Sequence, residues 1–406
     1  MMDEVVRIKE EDEADIALAH RYRLSLTTAP RQSSFRVVAV VFYELLLGSK
    51  EQDEDKRQQR HHVVGTNDEP CYINGSICAE RAALVQLRFL PIKRITKVVI
   101  TTDAVHPIFP GMLCREFMAS HMYIDPETMP VVTSGSLCRK AKCRYDVSGK
   151  DARTNDHDKQ SIENGCIGNT FHDWEVVRTT LVDLYPYPSP YTRLTAGESI
   201  NLGKRESPVS HIENFPIALS HNLDAISKEA ELLILEATKA AQENNDRSEL
   251  HPIQYAAAVL FEDGSIETAC QRKTLEYGCS VDAVTQLAFI IERNNKVVIK
   301  ADTDEELETN RGTSTRTSKL NNVRPKLLVQ CDQFGIIHAP FATARAYLSE
   351  FHYGNCEVLV QKFIEDPPSH SPSCLDTDDW NEVQILSIPA RILAPSAPHM
   401  GDLWTD

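Results

Sequence analysis

The sequence lacks the features that would point to a membrane, to secretion or to a nucleic acid. None of its apolar runs approaches the roughly 20 residues that a membrane-spanning helix needs. The N-terminal stretch from Met1 to Glu13 is acidic and has no apolar core of a secretory signal. Acidic residues outnumber basic ones by 59 to 43, which gives a net charge of −16. Because phosphate contacts need clustered Lys and Arg, this charge argues against a polyanionic partner.

These absences favour a cytoplasmic protein that acts on small molecules, with no nucleic-acid or membrane partner. In a reducing compartment the eleven cysteines are expected to be free thiols, available as metal ligands or as small core residues. The apolar fraction of 42% is sufficient for hydrophobic cores, and 406 residues are enough for two domains of ordinary size.

The pattern of apolar residues predicts an α/β protein with two tandem domains. Helical and strand-like segments alternate in the first half, and Val98 to Thr102 has the composition of a buried strand in a mixed sheet. We expect helices on both faces of each sheet. The first domain is assigned to residues 1–192, a linker to 193–215 and the second domain to 216–406. Polar insertions are expected at about 49–62, 134–172 and 302–321.

The densest chemical pattern is Cys78-Ala-Glu80-Arg81, at the predicted start of a helix. A second predicted helix start, Pro110 to Arg115, carries Cys114. The positive end of a helix lowers the pKa of a thiol, so both cysteines are suited to hold a metal as thiolates. A zinc ion there would activate water, and Glu80 would carry the protons. Arg81 is expected to hydrogen-bond to the sulfurs.

Each of these residues also has a simpler interpretation. An isolated cysteine is more often a small buried residue than a ligand. Glu80 alone would favour any helix N-terminus through the helix dipole. The two patterns together are much less expected by chance, which favours the metal site.

The resemblance to a known family is carried by these motifs. Residues 13–192 resemble a cytidine deaminase, a family in which Cys-Ala-Glu-Arg and Pro-Cys-x-x-Cys-Arg supply the zinc ligands and the proton carrier. The resemblance implies zinc as the cofactor, Cys78 and Cys114 as metal ligands, Glu80 as the catalytic group and Arg81 as their support. It also implies that cytidine and deoxycytidine are converted to uridine and deoxyuridine plus ammonia, a reaction of pyrimidine salvage.

Three further positions match the family's substrate-binding residues. Asn67 and Glu69 precede Cys78 at the spacing with which the family holds the ribose hydroxyl and the base, and Phe35 lies where it stacks an aromatic ring near the substrate. An Asn-x-Glu pair favours a free nucleoside over a polynucleotide. The simpler interpretations are a polar turn for Asn67 and Glu69 and a core aromatic for Phe35.

Residues 220–360 resemble the degenerate second domain of the long, homodimeric members of this family. The resemblance implies two tandem three-layer α/β/α domains with mixed sheets, and a homodimer. In this second copy, Val281 is aligned with the carboxylate position, and Phe341 and Ala344 with the thiol positions of the second motif. The second copy is therefore expected to hold no metal.

One position departs from the family pattern. Gly111 stands where Pro-Cys-x-x-Cys has its first cysteine, so a third protein ligand is missing. His106 and a cysteine of the 134–172 insertion are candidate replacements. Two hypotheses stay open: a zinc-dependent cytidine deaminase, and a catalytically impaired nucleoside-binding or regulatory protein of the same fold. A polynucleotide-editing deaminase is disfavoured by the charge and by Asn67-x-Glu69.

Overall fold

The computed structural model describes residues 10–46, 60–70, 75–136, 174–206, 228–292, 323–363 and 383–396. Contacts divide the chain into two compact units, one of Met1–Leu184 with Ser396–Asp406 and one of Tyr185–Pro395. Each unit contains helices and a mixed sheet, which confirms the α/β class. No helix within the described ranges has the length and apolar character needed to cross a membrane.

The first unit contains a five-stranded sheet. Its strand order is β2-β1-β3-β4-β5, in which β3 and β4 run parallel and the other neighbours run antiparallel. The elements in chain order are α1 (Glu10–Ser25), β1 (Val37–Leu45), β2 (His61–Thr66), α2 (Ala79–Gln86), β3 (Ile92–Thr102), α3 (Met112–Ala119), β4 (Pro130–Ser134), β5 (Val176–Thr180) and α4 (Leu181–Leu184).

Helix α1 covers one face of this sheet. The β-branched run of β1 alternates between the two faces, so Val38 and Val40 share a side. On that side they pack against Ile16 and Ala19, which lie on one face of α1 and are buried. Apolar burial along this contact therefore joins α1 to the sheet.

Gly65 allows α2 to pack closely against the other face of the first sheet. Gly65 in β2 pairs with Ala39 of β1, on the side away from α1. A Cβ at Gly65 would overlap the backbone of Ala79 and Ala83 in α2. Only glycine allows this approach, and it brings the N-terminus of α2 against the sheet.

The second unit contains a second mixed sheet with the strand order β11-β10-β8-β6-β7, and β9 also pairs with β8. Its elements are α5 (Ala196–Arg205), α6 (Lys228–Glu243), β6 (Tyr255–Phe261), β7 (Ile266–Cys270), α7 (283–292), β8 (Pro325–Asp332), β9 (Ile337–His338), α8 (Ala342–Glu350), β10 (Glu357–Phe363) and β11 (Val383–Pro389).

The second sheet repeats the topology of the first. Strands β6 and β7 correspond to β1 and β2, and β8, β10 and β11 correspond to β3, β4 and β5, with the same parallel pair in the same place. Leu233 of α6 packs against one face, and Val284 of α7 with Leu348 of α8 against the other. Each unit therefore has three layers, with its sheet between helices.

Part of the predicted linker is helical. Thr195 and Glu198 form a capping box, because the Thr195 side chain accepts from the Glu198 N–H and the Glu198 carboxylate accepts from the Thr195 N–H. This signal starts α5 within a segment whose composition had suggested a linker.

The predicted insertions overlap the ends of two strands: His61 and His62 begin β2, and Ser134 ends β4. Residues 49–59, 137–172 and 302–321 lie outside the described residues.

Candidate metal centre

The first arm of the site is the start of α2. Cys78 is the N-cap of this helix, with extended backbone angles, and its carbonyl accepts from the Ala82 N–H at 3.0 Å. Just before it, Ile77 pairs with Asp68 through two backbone hydrogen bonds of 3.0 Å. The backbone pair ties the loop after β2 to the helix start. Glu80 then lies within the first turn, and its side chain is buried.

The second arm is the start of α3. Gly111 is the N-cap, and its carbonyl accepts from the N–H groups of Cys114 and Arg115 at 2.9 and 3.1 Å. Cys114 therefore lies in the first turn, and it is fully buried. As predicted, both motif cysteines occupy helix N-termini, where exposed N–H groups favour negative charge.

The tertiary structure brings the two arms together. One ligand atom each of Cys78, Glu80 and Cys114 lies within 4.8 Å of the other two. The Cys114 thiol donates to Glu80 Oε2 at 3.5 Å, and an Arg81 nitrogen donates to Cys78 Sγ at 3.8 Å. The sequence prediction of two converging sulfurs with a nearby carboxylate agrees with this geometry. Their roles in binding and catalysis stay predictions.

Without a metal, the electrostatics of the cluster favour a thiolate at Cys78 and a retained proton at Cys114. A hydrogen bond from Cys114, aided by Arg81, lowers the pKa of Cys78. The same hydrogen bond, together with burial, raises the pKa of Cys114. Burial, followed by the nearby Cys78 charge, raises the pKa of Glu80 to about 7. The thiols and the carboxyl group thus compete for protons that a cation would displace.

The donor set fits a zinc ion. Two sulfurs and a carboxylate oxygen are donors that zinc accepts, and they lie close enough to share one cation. The family's third thiol position is open, since a Cβ at Gly111 would meet no heavy atom within 4 Å in the described part of the chain. Cys78, Cys114 and, by position, Glu80 are the side chains that would hold or face the ion.

The candidate replacement ligand His106 lies elsewhere. Its Nδ1 contacts Glu175 Oε2 at 2.7 Å in an exposed pair, and it is not part of the cluster of Cys78, Glu80 and Cys114. The other candidates, the cysteines of the 134–172 insertion, lie outside the described residues. His106 was a candidate ligand because it is close to Gly111 in the sequence. The structure does not place it in the cluster, since the orientation of a loop side chain depends on its tertiary neighbours.

The predicted substrate-binding residues form one hydrogen-bonded group. Asn67 accepts from the Val37 N–H at 2.9 Å and donates to the Phe35 carbonyl at 2.8 Å and to Glu69 at 3.3 Å. Glu69 accepts from both the backbone and the hydroxyl of Ser33, at 2.7 and 2.8 Å. Asp68, between Asn67 and Glu69, pairs with Ile77 directly before Cys78, so the group lies beside the start of α2. The negative charge of Glu69 acts to raise the pKa of Cys78, against the larger effects that lower it.

Sequence reasoning did not identify Ser33 or the pairing of Asp68 with Ile77. Ser33 orients the Glu69 carboxylate, and the backbone pair ties Glu69 to the start of α2. A weak signal for Ser33 was present in Ser-Ser-Phe35, beside a residue already selected. The pairing of Asp68 with Ile77 uses only backbone groups, so no side-chain pattern in the sequence indicates it. It depends on the register of the sheet.

The second unit has no cluster of this kind at the matched positions. Val281 pairs with Arg272 as Ile77 pairs with Asp68, so Asp282 corresponds to Cys78 and Val284 to Glu80. The sequence alignment of Val281 with the carboxylate was therefore wrong by three residues. Asp282 instead caps α7, because its carboxylate accepts from the Thr285 N–H at 2.9 Å.

The matched positions on α8 agree with the sequence alignment. Phe341 is the N-cap of α8, as Gly111 is of α3, and Ala344 lies where Cys114 does. Phe341 packs edge-on against Tyr255, with ring centroids 5.0 Å apart. An aromatic contact and an apolar core thus occupy the region in which the first unit has Cys78, Glu80 and Cys114.

Solved structures similar to part of this chain are cytidine deaminases. The enzyme from Burkholderia pseudomallei is 18% identical, with 45% of this chain and 99% of that chain covered and a TM-score of 0.28. The enzyme from Mycobacterium tuberculosis is 20% identical over 32% and 81% of the two chains, with a TM-score of 0.23. No family model and no curated protein matches the sequence. These TM-scores are low, so the similarity by itself carries no functional conclusion.

Proposed function

We propose that this chain is a zinc-dependent hydrolase that deaminates cytidine and deoxycytidine. The observation that carries the proposal is the convergence of Cys78, Glu80 and Cys114, whose ligand atoms all lie within 4.8 Å of one another. Two thiols and a buried carboxyl at two helix N-termini supply two of the three zinc ligands and the proton carrier that hydrolytic deamination of a pyrimidine uses. The motif resemblance to cytidine deaminases points to the same chemistry.

In the proposed reaction, the zinc ion would activate water, and side chains of the protein would transfer the protons. When bound, zinc supplies an activated water near neutral pH. Addition of that water to C4 of the ring, protonation of N3 and departure of the amino group as ammonia convert cytidine to uridine. Glu80 is suited to move these protons, because its buried carboxyl lies 3.5 Å from Cys114 Sγ, beside the place that the ion would take. Arg81 holds the Cys78 sulfur in place.

The proposed substrate is a free nucleoside. Glu69 and Asn67 offer a carboxylate and an amide near the metal centre, as a ribose hydroxyl and a polar base edge require. Phe35, half-buried beside them, offers an aromatic face. The net charge of −16 disfavours a polynucleotide and leaves a neutral nucleoside unaffected. The proposal of a nucleoside substrate is thus supported by the chemical nature of these three side chains and by their position.

Location and assembly belong to the same proposal. We place the protein in the cytoplasm, which is consistent with free thiols at the six cysteines of the described residues. We further propose a homodimer, on the resemblance of the second half to long, two-domain deaminases.

A second function is favoured by Gly111. Because this residue supplies no thiol, a site with two cysteines would hold zinc weakly, and a catalytically impaired nucleoside-binding or regulatory protein would result. The two functions differ in their dependence on Glu80. A deaminase needs its carboxyl for turnover, whereas nucleoside binding alone does not.

The test is ammonia release from cytidine and deoxycytidine, expressed per bound zinc ion. We expect turnover by the wild-type chain and a loss of at least about 100-fold in Glu80→Gln, because a positioned proton carrier contributes about 10²- to 10⁴-fold. Glu127→Gln, at an exposed position, is the control. Folded, zinc-loaded wild type without turnover would refute the deaminase. Nucleoside binding that persists in Glu80→Gln would then support the second function.

A further inference from the structure

The missing third ligand leaves a defined gap at the start of α3. Gly111 has ordinary N-cap angles, φ −63° and ψ 160°, and a Cβ on it would meet no heavy atom within 4 Å in the described part of the chain. No described side chain thus occupies the space in which a cysteine at this position would begin. A zinc site with three protein ligands must find its third donor elsewhere.

The distance between Glu80 and Cys114 matches two ligands of one ion. In a tetrahedral zinc site with a Zn–S bond of about 2.3 Å and a Zn–O bond of about 2.0 Å, the sulfur and the oxygen lie about 3.5 Å apart. The distance from Cys114 Sγ to Glu80 Oε2 is 3.5 Å. Cys78 completes a triangle whose sides are all within 4.8 Å.

The burial of Glu80 keeps its carboxylate at this place. Its exposed fraction is 4%, and it lies in the first turn of a helix whose backbone packs against Gly65. Swinging the charged side chain away from Cys114 within the buried interior would leave it desolvated without this partner. A cation between the sulfurs therefore finds the carboxylate already within coordination range.

We propose that the Glu80 carboxylate is the third protein ligand of the resting zinc site, in the place that Gly111 leaves without a donor. The resting site is then a set of two thiolates and one carboxylate, with the fourth position open for water. Its three negative charges equal those of three thiolates, and Arg81 offsets part of them from beside Cys78. This inference rests on the zinc site of the proposed function.

The assignment gives Glu80 two competing tasks. A carboxylate oxygen coordinated to zinc accepts a proton poorly, so the Zn–O bond must break before the carboxylate, still beside the two sulfurs, can carry protons during turnover. A cysteine at position 111 would take over the ligand position and free Glu80 for proton transfer. We therefore expect Gly111→Cys to bind zinc more tightly and to turn over cytidine faster than the wild type.

The test is a double-mutant cycle on zinc affinity, measured by competition with a chromophoric chelator. In the Gly111 background, we expect Glu80→Gln to weaken zinc binding by at least about 100-fold, more than the loss of a supporting residue. In Gly111→Cys, the same Glu80→Gln change should weaken it by less than about tenfold. Glu69→Gln, whose charge also reaches Cys78, controls for a purely electrostatic effect. Thermal unfolding of each metal-free variant checks folding.

Equal losses from Glu80→Gln in both backgrounds, or no loss in either, would overturn the inference. So would a wild type that binds no zinc.

Cobalt substitution adds a readout that is independent of catalysis. The thiolate-to-cobalt absorption should increase in Gly111→Cys and stay unchanged in Glu80→Gln when each variant is saturated with cobalt. Glu80-dependent affinity without cytidine turnover would refute the deaminase and leave the ligand assignment in place. Turnover with Glu80-independent affinity would do the reverse.

Discussion

Arg115 and Arg345 make the same hydrogen bond at matched positions of the two units. Arg115 Nε donates to the Pro110 carbonyl at 2.6 Å, and Arg345 Nε donates to the Pro340 carbonyl at 2.7 Å. Both side chains are almost completely buried. In each unit the accepting carbonyl belongs to the residue before the helix N-cap. The second unit thus has the arginine that supports the loop before this helix, but it has Ala344 in place of the Cys114 thiol.

We expect Arg115→Gln to lower the free energy of unfolding by about 3 kcal/mol, since buried hydrogen bonds to a charged group are lost. The Arg115 guanidinium also donates to the carbonyls of Leu184 and Ser396, at 2.9 and 3.0 Å. Glutamine cannot reach all three acceptors. Urea unfolding measures the change, and Arg88→Gln at an exposed position is the control. Equal stability of the two variants would contradict this support role.

Two glycines are expected to respond differently to alanine. Gly65→Ala should destabilise the protein by about 1–3 kcal/mol, because the added methyl group overlaps the backbone of α2. Gly111→Ala should change the stability by less than about 1 kcal/mol, because the space is open and the freedom lost by the unfolded chain offsets the poorer N-cap preference of alanine. Thermal or urea unfolding of both variants tests this. A Gly111→Ala variant that is destabilised as much as Gly65→Ala would mean that the space beside position 111 is occupied in solution.

His20 is expected to make the protein sensitive to acid. Burial, followed by the nearby positive charge of Arg23, lowers the pKa of His20 to about 3, although the negative charge of Asp103 opposes this shift. Its Nδ1 faces an Arg23 nitrogen at 3.4 Å, and its Nε2 contacts the Ser134 hydroxyl at 3.1 Å. The unfolded chain therefore takes up the proton first as the pH falls.

The sign of this effect follows from proton linkage. Between pH 6.5 and about 3 the unfolded state binds more protons at His20 than the folded state, so the free energy of unfolding decreases as the pH falls. The contribution is present in full above pH 6.5, and its slope is at most about 1.4 kcal/mol per pH unit. Unfolding of His20→Gln should show a shallower acid limb than the wild type. Parallel limbs would show that His20 is not the responsible group.

Glu69→Gln is expected to weaken substrate binding more than the chemical step. Loss of one charged hydrogen bond should raise KM for cytidine by about tenfold, while kcat changes by less than about threefold. The neutral amide can keep a contact with Ser33, which limits the effect on folding. Steady-state kinetics measure both constants, with Glu127→Gln as the control. A fall in kcat at unchanged KM would instead assign Glu69 to the reaction itself.

The local parts of the site could be predicted from sequence. Cys78 and Cys114 are at helix N-termini, as the motif spacing indicated, and Glu80 lies in the first turn of α2. These features depend on neighbours in the chain and on helix capping, which sequence encodes directly. The α/β class followed in the same way from the alternation of apolar segments. The capping box that starts α5 was equally local, but the composition of the segment obscured it.

The sequence by itself determined which donors are available and that position 111 has none. Tertiary structure alone decided that Glu80 Oε2 lies 3.5 Å from Cys114 Sγ, and that His106 pairs with Glu175. It also decided that Val284, and not Val281, occupies the carboxylate position of the second unit. The physical reason is that distances between separate segments depend on strand register and on close backbone approaches such as that at Gly65, and neither is visible in the spacing of residues along the chain.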